Sequence, residues 1–507
     1  MNITVFEGTT RKELSFEEGD TILAVLQKAG IQSVTAPCGG NGTCGKCRVS
    51  VRTKDFSGEC LACKRLAGDG MVVELIPEVR VSFADVAEGE TFKPDPDRKG
   101  YGVACDIGIT TVVCRLLNLE TGEVLSGVRG SNSQRIFGGE VLSRLKAAEK
   151  GHAEELHGLI LQQINYYIKT LCRQEKIGTE DVKMAAISAN TIMMHFFAGL
   201  NPAEISTAPF VPLSLFGETK NSEELGLCFQ GEVYLCPCVS GFIGSDVVCG
   251  LYTGKISEAE EMVLMVDLGT NTEIVLGNKD RILACAADGG AAFKASLLEH
   301  GMTASAGAIA GVRYEEGELQ LEVLGAGKAR GICGSGFLDV LRIMFEEEIL
   351  DELGHIADPE DVDSELVEYI GEEEGRTVFY LTKEKNIYIS QVDISKFQLA
   401  KAAIASGVQI LAMEQNISLS QVERLLMGGG FGAFADKNSA AVLGLIPQEC
   451  LGKSRKLGNV SLTGAISAVF SEEARREMGR IASRVQVMDL PAHPCFNDMY
   501  TDNMFFE

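Results

Sequence analysis

Two stretches of this chain repeat one chemical pattern. Residues 101–111 read Y-G-V-A-C-D-I-G-I-T-T, so Asp106, Gly108, Thr110 and Thr111 follow an apolar strand. Residues 264–274 read L-M-V-D-L-G-T-N-T-E-I, placing Asp267, Gly269, Thr270 and Asn271 in the same order 161 residues later. A glycine at the tip of such a hairpin lets the backbone approach a ligand closely. Neighbouring hydroxyls and N–H groups hold phosphate, and the aspartate holds a hydrated Mg²⁺. One Asp-x-Gly is ordinary turn chemistry. Two copies predict related lobes facing each other across a nucleotide.

Cysteines supply the second chemistry. Cys38, Cys44, Cys47, Cys60 and Cys63 lie within 26 residues. Cys44-x₂-Cys47 with Cys60-x₂-Cys63 has the spacing of a zinc ribbon. Cys38-x₅-Cys44-x₂-Cys47 plus Cys63 suits a [2Fe–2S] cluster, one residue off the plant-type loop. Gly39, Gly40, Gly42 and Gly45 favour the cluster, because they let the loop wrap it and aim N–H groups at its sulfurs. A zinc knuckle needs no such approach from Cys38.

These groups need elements to position them. Ile3–Phe6 and Glu13–Phe16 predict a hairpin. Asp20 is then expected to cap a helix carrying Ile22, Leu23, Val25 and Leu26, which ends at Gly30. After the cysteine loop come strands at Arg48–Arg52 and Met71–Ile76, completing a first domain over 1–80. Residues 81–99 carry charge and Pro94-Asp95-Pro96 and predict a tether, with Phe83 and Phe92 as docking points. Lobes are expected over 100–255 and 256–507. In the first, a helix over 154–174, a strand at Ala185–Ser188 and a helix opening at Asn190 follow one another. His195 on that helix is read as a satisfied core residue. Asp246 starts a further helix, either as its cap or as a carboxylate reaching the phosphates, and the hairpin next to it favours the second role. In the second lobe, Gly331–Gly336 opens a helix. Leu425–Phe434 predicts a buried strand ending in Gly428, Gly429 and Gly430, flat enough to lie against an adenosine. Thr463-Gly464-Ala465 suits close helix packing.

Composition narrows the class. With 507 residues, 45% hydrophobic and 23% charged, the chain is an ordinary globular protein of several domains. A net charge of −25 argues against nucleic acid or an anionic membrane as partner. No apolar run reaches spanning length, and the first residues lack a signal pattern, so the cytoplasm is expected. Sixteen cysteines then read as thiols or metal ligands, not disulfides. Cys114, Cys172, Cys249, Cys285 and Cys450 are taken as small buried hydrophobes, and Cys236-Pro-Cys238 as structural. The stretch Glu346–Glu374 holds fourteen carboxylates and no lysine or arginine, and reads as a solvated face.

The first domain resembles the plant- and adrenodoxin-like ferredoxins, with Leu61-Ala62-Cys63 in the place of their fourth-ligand motif. Only fifteen residues separate Cys47 from Cys63, fewer than is usual in those families, which leaves Cys60 and Cys63 both in reach of the fourth position. Asp106/Gly108, Asp246, Asp267/Gly269, Gly428–Gly430 and Gly464-Ala465 resemble, in order, the five ATP-site motifs of the actin, sugar-kinase and heat-shock-chaperone ATPases. That resemblance implies an α/β fold: a β-grasp ferredoxin followed by a two-lobed, ribonuclease-H-like ATPase with ATP–Mg²⁺ between the lobes.

The whole chain resembles the reductive activators of corrinoid proteins. Cys38–Cys47, Leu61-Ala62-Cys63, Asp106-Ile-Gly-Ile-Thr-Thr, Asn190-Thr191-Ile-Met-Met-His195 and Ala208-Pro209-Phe210 carry it. So do Gly331-Ile-Cys-Gly-Ser-Gly336, Gln398-Leu-Ala-Lys401-Ala-Ala-Ile404 and Gly428-Gly-Gly-Phe431. The stretch 287–293 (A-D-G-G-A-A-F) departs from the serine- and proline-containing form expected there. The resemblance implies ATP-dependent return of a Co(II) corrinoid protein to Co(I), fed by an electron donor such as a ferredoxin, flavodoxin or reductase, in a monomer or homodimer. A nucleotide-holding redox sensor and an activator of another low-potential enzyme are the competing readings.

Overall fold

The computed structural model describes residues 1–7, 10–31, 34, 47–53, 56–75, 92–96, 98–269, 271–287, 298–302, 304–325, 327–432 and 435–506. At the N-terminus an alternating hairpin and three later strands share one apolar face and form a five-stranded sheet. Its spatial order is Thr10–Ser15, Asn2–Glu7, Val72–Leu75, Arg48–Arg52, Ser57–Leu61. The helix Ile22–Lys28 lays Ile22, Val25 and Leu26 on Ile3, Val5, Val49 and Val73, which is the expected β-grasp. Its cap is Thr21, whose hydroxyl accepts the Ala24 N–H at 3.2 Å, and not Asp20. Asp20 lies one residue too early. Its carboxylate accepts the Glu17 N–H at 3.1 Å and the Lys28 ammonium at 3.0 Å, closing the preceding turn.

The two lobes repeat one topology. In the first, Tyr101–Ile107, Thr111–Asn118 and Val124–Ser131 form an antiparallel meander. Val182–Ala189 and then Glu232–Leu235 add in parallel beside the first strand. In the second, Met262–Leu268, Thr272–Gly277 and Ile282–Ala287 make the meander, and Val422–Gly428 and Ser454–Lys456 add in parallel. The meander strands alternate apolar residues on both faces because both faces are covered.

Each sheet turns one face to its own helices and the other to a shared layer. That layer contains Ala104, Val113 and Met184 from the first lobe and Val263, Met265 and Val275 from the second. Between them lie the helices Ser245–Thr253, Val460–Phe470 and Glu472–Arg484. Gly464 is needed here: a Cβ on it would collide with Cys249 of the facing helix. Phe92 docks on the same layer, 5.7 Å from the Phe470 ring, as expected of it; Phe83 lies outside the described residues.

One cysteine reading is corrected. Cys114 is not a free thiol: it stands directly opposite Cys105 in the first hairpin and is bonded to it. Two strands that place cysteines face to face on the same side bring the sulfurs within bonding reach, which composition cannot reveal. Cys236, Cys238 and Cys249 are buried, and burial holds the Cys238 thiol up at about 12, consistent with structural roles. His195 is fully buried; its Nδ1 donates to Thr191 O at 2.7 Å and its Nε2 accepts the Ser214 N–H at 3.4 Å. Both ring nitrogens are occupied, and burial keeps the ring neutral. No helix among the described residues is long and apolar enough to cross a membrane.

Candidate functional site

Both glycine hairpins form, and their turns differ by a residue. In the first, Ile107 pairs with Val112, and Gly108 N–H donates to Thr111 O at 2.9 Å. In the second, Leu268 pairs with Thr272, and Gly269 N–H donates to Asn271 O at 3.0 Å. A Cβ on Gly108 would lie 2.7 Å from Thr111 O, so a side chain there would open the turn. Thr110 is exposed at the tip and Thr111 half-buried behind it. Thr270 lies outside the described residues.

Asp106 closes the first strand and meets the N-terminus of the helix Val460–Phe470. Asn459, that helix's cap, donates its side-chain amide to Asp106 Oδ2 at 2.8 Å. Ser461 Oγ donates to Asp106 Oδ1 at 2.7 Å and lies 2.8 Å from Ser188 Oγ. Burial raises the Asp106 pKa, while these two donors pull it back. Asp246 sits in the first turn of the helix Ser245–Thr253, whose cap is Gly244, and accepts the Val247 N–H at 2.9 Å. Ser245 ties that helix to the end of Val182–Ala189 by bonds to Ala189 N and O at 2.9 and 2.8 Å.

Asp267 is 9% exposed and stands opposite Glu273, which is 6% exposed. Sequence reasoning overlooked Glu273. Its signal was parity: two residues flanking a three-residue turn at equal distance share a sheet face. Burial pushes Asp267 up to about 7, helped by the negative charges of Asp246 and Asp106. Asp246 rises to about 7 by burial and by Asp106. Glu273 is raised well above the carboxylate range by burial, Asp246 and Asp267. Asp106, Asp246, Asp267 and Glu273 therefore converge from both lobes, and among the described residues no cationic side chain contributes to the pKa of any of them. Such a set of hard oxygens fits a hydrated divalent cation. Among the described residues no three ligand groups stand close enough to cage a metal by themselves. A cation here would share its shell with water and phosphate.

The strand Val422–Gly428 runs parallel to Met262–Leu268, with Gly428 paired to Asp267. It takes only the first glycine; Gly429 and Gly430 open the short helix Gly429–Gly432. Gly429 has φ +84°, and a Cβ on it would collide with the Asp267 carboxylate. Close backbone approach explains that glycine. Gly331–Gly336 opens a helix as expected, with Cys333 at its cap position. Of the departing stretch 287–293 only Ala287 is described.

In the first domain Cys38 and Cys44 lie outside the described residues. Cys47 precedes the strand Arg48–Arg52, and Ala62 N–H donates to Cys47 O at 2.7 Å, which draws the Cys63 turn onto it. Burial and the adjacent Cys63 thiol push Cys47 up to about 11. Cys60 also lies near Cys47, but only Cys63 shares a hydrogen bond with it. Paired thiols that repel a second negative charge suit a bound metal, which stabilises both as thiolates.

Known proteins match both lobes and part of the first domain. A family model described as the RACo middle region matches residues 101–259, and one described as the C-terminal domain of RACo, the ASKHA domain, matches 261–507. The corrinoid activation enzyme RamQ of Eubacterium limosum is 31% identical over 422 residues, 80% of this chain and 70% of its own. A ferredoxin of Trichomonas vaginalis is 44% identical over 45 residues, 9% of this chain and 45% of its own. A solved reductive activator for corrinoid, iron–sulfur protein superposes with TM-score 0.71 at 26% identity, covering 100% of this chain and 98% of the other.

Proposed function

The chain belongs to the RACo family of reductive corrinoid activators, and from that membership we propose how its parts work. It is an ATP-dependent reductase that returns a partner corrinoid protein from inactive Co(II) to methyl-accepting Co(I). The observation that carries the mechanism is the convergence of Asp106, Asp246 and Asp267 from the two lobes. Carboxylates buried together either keep a proton or share a cation, and ATP–Mg²⁺ brings that cation.

In this reading Asp106 and Asp267 face hydrated Mg²⁺. Thr110, Thr111, Thr270 and Asn271, with the N–H groups of Gly108 and Gly269, hold phosphate. Asp246 orients water, and Gly428, Gly429 and Gly430 border adenosine. Cys38, Cys44, Cys47 and Cys63 hold a [2Fe–2S] cluster, and the thiol contact between Cys47 and Cys63 supports Cys63 over Cys60. The cluster supplies one electron at a time. Plant-type clusters lie near about −400 mV, and each 59 mV of shortfall costs about tenfold in a one-electron equilibrium. ATP overcomes a shortfall if the lobes, closed on nucleotide, bind the partner in the form easier to reduce. Moving such an equilibrium from 1:99 to 99:1 takes roughly 5.5 kcal/mol of differential binding. We place the protein in the cytoplasm. A soluble ferredoxin, flavodoxin or reductase is the donor, and pairing of two chains is compatible with the reading.

The test uses one cuvette holding the protein, excess reductant and a Co(II) corrinoid protein. The cluster should reduce at the same rate with or without ATP, whereas Co(I) absorbance should grow only with ATP. Equal Co(I) without nucleotide would refute coupling and favour the redox-sensor reading. Anaerobic protein should carry about two irons and two sulfides. Stoichiometric zinc without a visible band would refute the cluster. Loss of the band in Cys63→Ala but not in Cys60→Ala identifies the fourth ligand.

A further inference from the structure

Three successive carbonyls at the tip of the first hairpin are gripped from one side. Asn132 donates its side-chain amide to Gly108 O and its backbone N–H to Thr110 O, both at 2.8 Å. The Arg144 guanidinium donates to Ile109 O at 2.5 Å. Holding the tip by its carbonyls leaves its hydroxyls and remaining N–H groups for phosphate.

The grip is built into the lobe around the short turn Ser133–Phe137. Asn132, Gln134 and Arg144 are fully buried. Gln134 N–H donates to Asn132 Oδ1 at 2.9 Å, and Arg144 donates to Gly138 O at 3.3 Å and Gln134 Oε1 at 3.4 Å. Ser133 N–H donates to Gln163 Oε1 at 2.8 Å, anchoring the turn on the long helix Ala153–Glu175. Among the described residues Arg144 has no carboxylate partner, and burial and the neighbouring Arg135 press it down to about 9. Its role is geometric: one guanidinium ties the turn to the hairpin tip.

The same turn reaches the other way. Arg135 is nine-tenths buried, and its Nη2 donates to Val34 O of the first domain at 3.3 Å. Val34 is itself 8% exposed and lies in the segment that leads from the helix Ile22–Lys28 to the cysteines. The turn thus meets Val34 of the first domain directly and the first hairpin through its cap Asn132 and through Arg144.

We propose that the turn Ser133–Phe137 is the docking site of the iron–sulfur domain on the first lobe, with Arg135 as positioning residue, so that docking and nucleotide binding reinforce each other. The proposal rests on the reading that ATP binds at the hairpins. A nucleotide that favours the gripped tip also favours the turn geometry in which Arg135 meets Val34. By linkage, docking must then raise nucleotide affinity by the same factor. The docked domain holds its cluster at a fixed place beside the lobe whose closure nucleotide controls, which orients electron delivery.

The test uses the full, cluster-loaded chain as wild type, Arg135→Ala and Arg135→Gln, the last keeping most of the stem. A non-hydrolysable ATP analogue with Mg²⁺ is titrated by calorimetry. Hydrogen exchange is followed at Ile22–Lys28 and Arg48–Arg52 with and without it. The analogue should slow exchange in the wild-type first domain. Both variants should lose that slowing and bind the analogue about fivefold or more weakly, with iron content and exchange in the lobe sheets unchanged. Wild-type affinity in both variants, or a first domain that ignores bound analogue, would overturn the proposal and leave the nucleotide reading intact. Failure of the wild type to bind analogue would overturn both. The wild-type exchange arm decides even if neither variant folds.

Discussion

The two hairpins share a strand plan and differ in chemistry. Asp106 faces Val113 across its hairpin, and two donors, Asn459 and Ser461, hold both its oxygens. Asp267 faces Glu273, another carboxylate, and its raised pKa has no hydrogen-bond contribution opposing it. The duplicated topology sets the backbone twice, but the side-chain donors at the start of the helix Val460–Phe470, Asn459 and Ser461, go to Asp106. Asp106 is therefore aimed by the protein itself, and its partners bind it to the layer between the lobes. Among the described residues Asp267 has no such donor. Symmetry of fold does not imply symmetry of task.

The harshest way to break this contrast is Asp267→Ala. It should lower ATP-dependent Co(I) formation by about 10³-fold, the scale of losing a preorganised electrostatic group, with iron content and visible spectrum unchanged. Unchanged turnover would remove the second hairpin from the chemistry.

Glu273→Gln sharpens the contrast, because the amide keeps the shape and removes the ionisable carboxyl. Activity should fall by about 10²-fold while the melting temperature rises, the signature of a group kept for function at the expense of stability. A rise in stability with full activity would make Glu273 a passive neighbour.

On the other side of the comparison, Asn459→Ala removes one donor from Asp106. A hydrogen bond to a charged group contributes about 1.5–3 kcal/mol, so kcat/KM should drop by roughly 10-fold or more, measured as ATP hydrolysis with the Co(II) partner. No change would mean that Asp106 needs no aiming.

The smallest effect is on stability against pH. Asp267 titrates near 7 when folded against an ordinary value of 3.8, so the folded state holds its proton more tightly. The stabilisation this gives is complete below about pH 4 and is lost as pH rises through about 7. Without Mg²⁺ and nucleotide, the wild type should therefore lose stability relative to Asp267→Asn between pH 4 and 8, seen as a fall in melting temperature. Parallel melting curves for the two proteins would show that Asp267 is not strained by its neighbours.

Legibility followed the range of the interaction. The hairpins, the Asn190 cap (its Oδ1 accepting Met193 N–H at 3.0 Å) and the close helix contact at Gly464 were all readable, because turn, cap and small-residue signals are local. Thr21 against Asp20 was a one-residue error within such a signal. Glu273 was readable in principle by strand parity. Nothing local marks Asn459 or Ser461 as partners of Asp106, since 353 and 355 residues separate them. By itself Asn459 reads as a cap in front of an apolar run, and it is one, its Oδ1 accepting Leu462 N–H at 2.8 Å.

The order and spacing of residues thus determined the paired glycine turns and the strands that flank them, because each depends on a few neighbouring dihedrals and on the two-residue period of a strand. Tertiary structure decided which carboxylate receives side-chain donors, that Cys105 meets Cys114, and that Arg135 lies against Val34. Those outcomes depend on where distant surfaces pack. A helix whose Gly464 must sit on Cys249 has little choice in where its Asn459 cap arrives, and that arrival point is Asp106.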